Sequence, residues 1–231
     1  MSPANEPWGL GPITLEQAER FAALINATAA ERGELARMYH QFPPHIQTRG
    51  VFFSGVGRVV IKRAGVSVWH ETLARVGAPA RFFPFNYYPH RDMYKVHAVV
   101  ANLLAPEGPL DQGLLEMGRL LYPIYRESLL GRTMSAFASD DPKTLLRILC
   151  ESYRLSVSGN DHQISFDDGA EAIWRCKVEP APWYPVIFRG IVEGTTASHG
   201  VHDVAVDTLE VVDERTHFRF AWPSLPSGQR P

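Results

Sequence analysis

The spacing of apolar residues changes once along the chain, near residue 153. From Thr14 to Ser152, apolar residues recur at intervals of three and four, which is the period of an amphipathic helix. From Tyr153 to Trp222, they mostly alternate with polar residues in paired runs around turn residues, as in β-hairpins. The pattern predicts an α+β fold in which a helical N-terminal half packs on an antiparallel sheet.

The chain is predicted to begin with one helix and a proline-containing linker. Thr14 and Gln17 match a capping box at the start of this helix. Pro43 and Pro44 cannot continue a helix, because proline lacks an amide donor and restricts the residue before it. The predicted division is an N-terminal helix and linker over residues 1–48, one main domain over residues 49–222 and a loose tail over residues 223–231.

Five further helices are predicted between the linker and the change of period. They are expected to begin near Phe52, Ser67, Pro89, Asp111 and Pro142. Pro123 removes a backbone hydrogen bond inside the fourth of these helices and predicts a kink. The aromatic run from Phe82 to Tyr88 has no regular period, and we expect it to fill the core.

The last third of the chain is predicted to form four strands around one helix. Residues 167–169, Asp-Asp-Gly, mark a hairpin turn. Trp174 and Cys176 alternate with charged residues, which indicates that one face of the sheet is buried. Gly190 and Gly194 lie four residues apart on the predicted helix and would let it approach the sheet or a neighbouring helix closely. The predicted order is strand, strand, helix, strand, strand.

Composition and charge narrow the range of partners and compartments. The chain has 231 residues and a formal net charge of -2 at pH 7, and it contains no basic run, so we expect no nucleic-acid binding. No stretch of about 18 apolar residues could span a membrane, and the N-terminus lacks an export signal, which predicts a cytoplasmic protein. Cys150 and Cys176 are expected to be buried thiols, because disulfides are rare in a reducing compartment.

Four short motifs carry a resemblance to known families. They read Arg-Gly-Val-Phe-Phe-Ser-Gly at residues 49–55, Phe-Asn-Tyr-Tyr-Pro at 85–89, Met-Gly-Arg at 117–119 and Phe-Arg-Gly-Ile-Val-Glu-Gly at 188–194. From about residue 50 to 222 the chain resembles an uncharacterised family of myxobacterial domains. Its architecture is also similar to that of heme nitric-oxide/oxygen-binding (H-NOX) domains and of four-vinyl-reductase ligand-binding domains.

The wider resemblance implies an internal cavity between the helical half and the sheet, used for heme in one relative and for hydrophobic small molecules in others. In the heme-binding family, a histidine on the helix before the sheet ligates the iron, and a Tyr-x-Ser-x-Arg string holds the propionates. At the approximate histidine position this chain has Tyr153, and the corresponding strand at 172–177 reads Ala-Ile-Trp-Arg-Cys-Lys. Both departures disfavour heme, so the cofactor is left unassigned.

Aromatic residues from several predicted elements are expected to converge between the helices and the sheet. They either fill the core, as aromatic side chains usually do, or line a ligand cavity in which tyrosine hydroxyls orient the ligand. The candidate ligand-binding residues are Trp69, Phe83, Phe85, His97, Tyr122, Tyr125, Tyr153, Trp174 and Cys176.

Histidines supply the weaker candidates for metal binding. His97 projects from an apolar helix stripe, where an imidazole needs a hydrogen-bond partner or a metal, and a hydrogen-bonded core histidine is the simpler interpretation. His199, His202 and Asp203 cluster at a predicted turn and could chelate a cation, although a solvated loop explains them more simply. We therefore assign no metal to the chain.

The sequence leaves three functional hypotheses open. The first is a cytoplasmic, non-catalytic sensor that binds a hydrophobic small molecule in an apolar cavity. The second is a heme or metal protein that uses His97, Tyr153 or the turn at His199, and the third is a structural homodimeric module. Ser54 lacks the glycine two positions before it that a nucleophile elbow needs, and we assign no catalytic residue.

Overall fold

The computed structural model of the chain describes residues 11–127, 132, 141–159, 161–167, 169–176, 183–212 and 215–223. The helices are α1 (Leu15–Ala22), α2 (Ala29–Gln41), α3 (Gly50–Ala64), α4 (Val66–Arg75), α5 (His90–Leu104), α6 (Leu110–Arg126), α7 (Pro142–Ser156) and α8 (Tyr184–Ala197). The strands are β1 (Gln47–Arg49), β2 (Tyr87–Pro89), β3 (Val157–Ser158), β4 (His162–Phe166), β5 (Glu171–Cys176), β6 (Ala205–Val212) and β7 (Arg215–Ala221). Within these ranges, every helix is too short or too polar to cross a bilayer.

The N-terminal segment forms two helices where the sequence pattern predicted one. Helix α1 begins at the predicted capping box, but a second capping box, formed by Thr28 and Glu31, starts α2. In the turn between them, the backbone N–H of Asn26 donates to Oδ1 of Asn102 on α5, at 3.0 Å. This contact and the burial of Phe21 hold the N-terminal helices against the rest of the helical half.

Helix α5 is the central helix of the helical half. Every residue from His90 to Ala101 is buried, and α5 contacts α2, α3, α4, α6 and the strands β1 and β2. A helix that is covered on all sides has no polar face, so its polar side chains must lie in the interior. The buried polar residues of α5 are His90, Arg91, Asp92, Lys95 and His97.

Helices α6 and α8 approach each other at glycines. A Cβ atom added to Gly190 would lie 2.4 Å from the backbone oxygen of Leu115, and one added to Gly194 would lie 2.2 Å from that of Arg119. Neither distance is compatible with a side chain. The prediction that these two glycines allow close approach is therefore confirmed, and the partner is the neighbouring helix α6.

The C-terminal part of the chain forms a four-stranded antiparallel sheet in the order β4-β5-β7-β6. The predicted α+β class and the succession of two strands, a helix and two strands are confirmed. Trp174 on β5 and Phe218 on β7 are cross-strand partners, and both pack on Phe188 of α8. The buried face of the sheet is thus covered by α8.

A second sheet, of three short strands in the order β2-β1-β3, was not predicted. Its central residue, Thr48, is buried and pairs with Tyr88 and with Val157. Strands of two or three residues are too short to show a period of two, so the sequence pattern gives no signal for them. Helix α7 also runs on to Ser156, past the predicted change of period, and leaves Leu155 exposed.

Candidate functional site

A cavity of about 120 Å³ lies between helices α3, α6, α7 and α8. Engineered apolar cavities of about 150 Å³ hold benzene, so this volume suits a molecule with a single ring. The lining comes from α3 (Val51, Phe52, Gly55), α6 (Leu121, Tyr122, Tyr125), α7 (Leu145, Ile148, Leu149, Ser152, Tyr153, Ser156) and α8 (Ile191, Thr195).

The described lining of the cavity is uncharged. It contains no Asp, Glu, Lys, Arg or His, and most of its side chains are aliphatic or aromatic. Tyr125 and Tyr153 are also neutral, because burial raises the pKa of each above the usual value for a phenol. The described part of the lining therefore offers no partner for a ligand charge.

Hydroxyl groups give the lining its polar character. Ser152 and Thr195 each donate to the carbonyl oxygen four residues earlier in their own helix, at 2.8 Å and 2.6 Å. Their protons are engaged, so they can only accept a hydrogen bond from a ligand. The hydroxyl of Tyr122 lies 2.8 Å from Nε2 of His199, which joins the lining to the chain that follows α8.

Tyr153 connects the cavity with the interior next to the sheet. Its side chain is buried, and its ring lies 5.7 Å from Phe52, which also lines the cavity, and 5.8 Å from Trp174 on β5. Burial is the main cause that raises the pKa of Tyr153, and the nearby Cys176 thiol on β5 adds to the shift.

The cavity does not lie where the sequence pattern and the resemblance placed it. The junction between the helices and the sheet is filled by packed aromatic rings, with the ring centroid of Phe188 at 4.8 Å from that of Trp174, 4.6 Å from that of Phe218 and 5.3 Å from that of Tyr184. Among the described residues, the four-stranded sheet contributes nothing to the lining. The expectation of a cavity between helices and sheet is corrected to a cavity between four helices.

The structure brings together Tyr122, Tyr125 and Tyr153, three of the predicted ligand-binding residues, at the cavity. Trp174 and Cys176 are buried on the covered face of β5, beside the filled junction. These two residues contribute to the core rather than to the cavity lining. The alternation of apolar and polar residues identified the buried face of β5, but it did not identify the side chains that cover this face.

The other predicted residues lie elsewhere. Trp69 is buried against Gly57 of α3, and His97 lies inside α5, away from the cavity lining. Phe83 and Phe85 are 50% and 73% exposed, so these two aromatic residues neither fill the core nor reach the cavity. They lie in the connection before β2, where the lack of a regular period gave no information about burial.

Several buried ionisable residues were missed by sequence reasoning. Burial is the main cause that lowers the pKa of His90 to about 3 and that of His162 to about 4, so both are neutral at physiological pH. Burial likewise raises the pKa of Asp92 to about 7, and the Tyr39 hydroxyl donates to its carboxyl group at 2.6 Å. The sequence carries no local signal for their burial, because histidine and aspartate are residue types that are often exposed.

The histidine turn after α8 does not assemble a metal site within the described residues. His199 is engaged with Tyr122, while His202 and Asp203 line a separate depression at the end of α8. Across the described ranges, no group of three His, Cys, Asp or Glu side chains could hold a metal ion.

The fold is that of the H-NOX domains. The chain is similar to an H-NOX protein from S. oneidensis in the Fe(II)NO ligation state, with a TM-score of 0.58 and 15% identity over 76% of this chain and 99% of that one. It is similar to an oxygen-binding H-NOX domain related to soluble guanylate cyclases, with a TM-score of 0.58 and 15% identity over 75% and 94%. For unliganded Fe(II) H-NOX from K. algicida the TM-score is 0.54, with 12% identity over 77% and 98%.

Within this fold, the chain belongs to the DUF2378 family, described as a protein of unknown function, whose family model matches residues 43–223. No curated protein matches the chain. The resemblance to an uncharacterised family with an H-NOX-like fold is thereby confirmed. At identities of 12 to 16%, the likeness to solved structures establishes the fold but not the ligand.

Heme, which the fold suggests, does not fit the residues present. A porphyrin is several times larger than benzene, whereas the cavity has a volume of about 120 Å³ and the junction beside it is filled by rings. The described lining also lacks an Arg or Lys that could neutralise propionates and a histidine that could bind iron. The described interior of this chain therefore lacks the space and the side chains that heme would need.

Proposed function

We propose that this chain is a non-catalytic sensor domain that binds a small apolar molecule in the cavity between α3, α6, α7 and α8. The observation that carries the proposal is a cavity of about 120 Å³ inside an H-NOX-like fold, whose described lining is mostly apolar and uncharged. One solved relative of this fold is an oxygen-binding domain, which supports a ligand-binding role here. The proposal also includes a cytoplasmic location and a partner protein that recognises the ligand-bound state of the domain.

Ligand binding would act on the positions of the four helices. A ligand shifts a conformational equilibrium only by the difference in its affinity for the two states. Helices α6 and α8 touch through backbone at Gly190 and Gly194, so they move together, whereas α3 and α7 close the cavity from the other side. The hydrogen bond between Tyr122 and His199 would carry the change to the end of α8.

Toluene binding to a cavity-filling variant tests the proposal. A Cβ added to Gly55 meets only Leu121 Cδ2, at 3.8 Å, so the side chain of Gly55→Leu can extend into the cavity. We expect the wild-type protein to bind toluene in isothermal titration calorimetry and Gly55→Leu to lose at least about 90% of that affinity, because the space is occupied.

The matched control is Gly33→Leu. Gly33 lies in the middle of helix α2, is exposed to solvent, and has no atom within 4 Å of an added Cβ. This variant therefore has the same glycine-to-leucine substitution within a helix, but at a position far from any neighbour. Its toluene affinity should equal that of the wild type. Absence of toluene binding to the wild-type protein, or equal binding by Gly55→Leu, would refute the proposed function.

A further inference from the structure

We infer that this chain has a surface for peripheral binding to an anionic lipid bilayer. The surface is formed by three exposed aromatic residues and two arginines, to which we refer as the aromatic patch: Phe83, Phe85, Tyr87, Arg49 and Arg81. None of these residues lines the cavity, so membrane binding is independent of the proposed function.

The rings of the aromatic patch protrude from the protein. Phe85 is 73% exposed, Phe83 50% and Tyr87 43%. The neighbouring Phe82, in contrast, is buried and stacks on Phe53 at a centroid distance of 4.2 Å. Single exposed apolar residues are common at protein surfaces, whereas a group of them marks contact with another protein or with a membrane. Because a mostly exposed ring has few protein neighbours, it can enter an apolar medium without unpacking the fold.

The backbone that carries these rings is held against the first turn of α3. The backbone N–H of Gly50 donates to the carbonyl oxygen of Asn86 at 2.9 Å. The backbone N–H of Val51 donates to the carbonyl oxygen of Pro84 at 3.1 Å. A Cβ added to Gly50 would lie 2.2 Å from the carbonyl oxygen of Phe83, so this close contact requires a glycine. The loop is thus fixed before it meets a partner, and little conformational entropy is lost on binding.

Acidic residues are nearly absent from the part of the sequence that carries the aromatic patch. Glu71 is the only acidic residue from position 35 to position 91, a stretch that contains eight arginines and lysines. The whole chain, by comparison, has a formal net charge of -2. The patch therefore belongs to a basic segment of a slightly acidic protein, which complements an anionic surface.

The two arginines of the patch lie beside its rings. The guanidinium carbon of Arg81 is 5.1 Å from the ring centroid of Phe83, and that of Arg49 is 5.3 Å from the ring centroid of Tyr87. Neither arginine forms an ion pair with another residue that the structure describes. Apolar rings and positive charge are thus presented together on one surface.

An anionic bilayer matches this combination better than a protein partner does. Aromatic rings insert where lipid headgroups meet acyl chains, and basic side chains are attracted to anionic headgroups. A bilayer is fluid and accepts protruding rings in any arrangement. A protein partner would have to supply a well-packed pocket for each ring that contributes to binding.

Binding to lipid vesicles tests the inference. The probes are vesicles of about 70% phosphatidylcholine and about 30% phosphatidylglycerol, and vesicles of phosphatidylcholine alone. Co-sedimentation of the full chain with each kind of vesicle gives its partition coefficient. We expect the wild-type protein to bind the anionic vesicles at least about tenfold more strongly than the neutral ones, because the arginines add an electrostatic attraction.

Two variants separate the contribution of the rings from that of the charge. Phe85→Ser should weaken binding to the anionic vesicles about tenfold, because it removes the most exposed ring. Arg81→Gln should weaken it about fivefold, because one positive charge near the headgroups is lost.

The matched control is Val66→Ser. Val66 is 56% exposed and begins α4, directly after the C-terminal end of α3. The aromatic patch adjoins the other end of α3, about 20 Å away along the helix axis. This variant also replaces an exposed apolar residue by serine, and its partition coefficient should stay within about twofold of that of the wild type.

Absence of wild-type binding to the anionic vesicles at about 0.05 M salt would overturn the inference, because screening is weak at this ionic strength. An unchanged partition coefficient in Phe85→Ser or in Arg81→Gln would overturn it too. A wild-type dimer that Phe85→Ser dissociates in analytical ultracentrifugation would overturn it by assigning the patch to a second copy of the chain. None of these results affects toluene binding in the cavity, which tests the proposed function separately.

Discussion

At the scale of single residues, the most unusual feature is the set of neutral histidines in the core. Burial is the first cause that lowers the pKa of His90 and His97 to about 3 and that of His162 to about 4. Neither ring nitrogen of His97 has a hydrogen-bond partner in the described part of the chain. These imidazoles stay neutral in the fold and take up protons only when the chain unfolds, at an ordinary pKa near 6.5.

We predict that replacement of His97 by leucine reduces the acid sensitivity of the protein. A histidine whose folded-state pKa is depressed contributes stability that is present above pH 6.5 and is lost as the pH falls towards 3. His97→Leu should therefore lower the slope of unfolding free energy against pH by about 1.4 kcal/mol per pH unit between pH 5.5 and 4. Urea denaturation at a series of pH values measures this slope.

The control for this prediction is His70→Leu. His70 lies exposed on α4, so this variant carries the same histidine-to-leucine substitution at the surface instead of in the core. Asp92, whose pKa is raised to about 7 mainly by burial, acts in the opposite sense, because its stabilising protonated form is lost as the pH rises towards 7. Comparison of slopes between variants cancels this contribution. Parallel curves for His97→Leu and the wild type would show that His97 is protonated normally in the fold.

At the scale of secondary-structure elements, glycines decide which helices touch and which enclose space. Gly194 brings the backbone of α8 against that of α6, with Arg119 O at 2.2 Å from an added Cβ. Gly55 on α3 faces the cavity instead, and its nearest neighbour would lie at 3.8 Å. Both are glycines inside helices, and the sequence alone does not distinguish their roles.

We predict opposite effects on stability for the same substitution at these two glycines. Gly194→Ala should lower the unfolding free energy by about 1–3 kcal/mol, because the new methyl group forces α6 and α8 apart. Gly55→Ala should raise it by up to about 1 kcal/mol, since alanine favours the helix and meets no obstacle. Chemical denaturation of the two variants measures the difference, and equal changes would mean that α6 and α8 do not pack through backbone.

At the scale of the whole molecule, the chain has the H-NOX architecture, and aromatic rings fill its interior next to the sheet. The rings of Trp174, Phe188 and Phe218 pack between sheet and helices, and the open space lies among α3, α6, α7 and α8. Fold similarity therefore implies the same arrangement of helices and strands, but it does not identify the ligand. A homodimer through the sheet or the first helix stays a prediction.

We predict that the purified protein does not retain heme. After incubation with hemin and size-exclusion chromatography, the protein fraction should show no Soret absorption, because neither the ring-filled junction nor a cavity of about 120 Å³ accepts a porphyrin. Absorption spectroscopy with an H-NOX protein as positive control provides the measurement. Stoichiometric retention with a sharp Soret band that is lost in Tyr153→Phe would show that the interior opens to heme and that Tyr153 binds the iron.

The sequence by itself determined the class of fold, the order of strands around α8 and the close approach at Gly190 and Gly194. These follow from periods of two and 3.6 residues and from glycine spacing, which are local properties of the chain. The break between α1 and α2, the small sheet, the exposure of Phe85 and the location of the cavity were decided by the tertiary structure. A cavity is the space left when distant segments pack against each other. Its position depends on the volumes of side chains that are far apart in sequence, and a local period of apolar residues contains no information about those volumes.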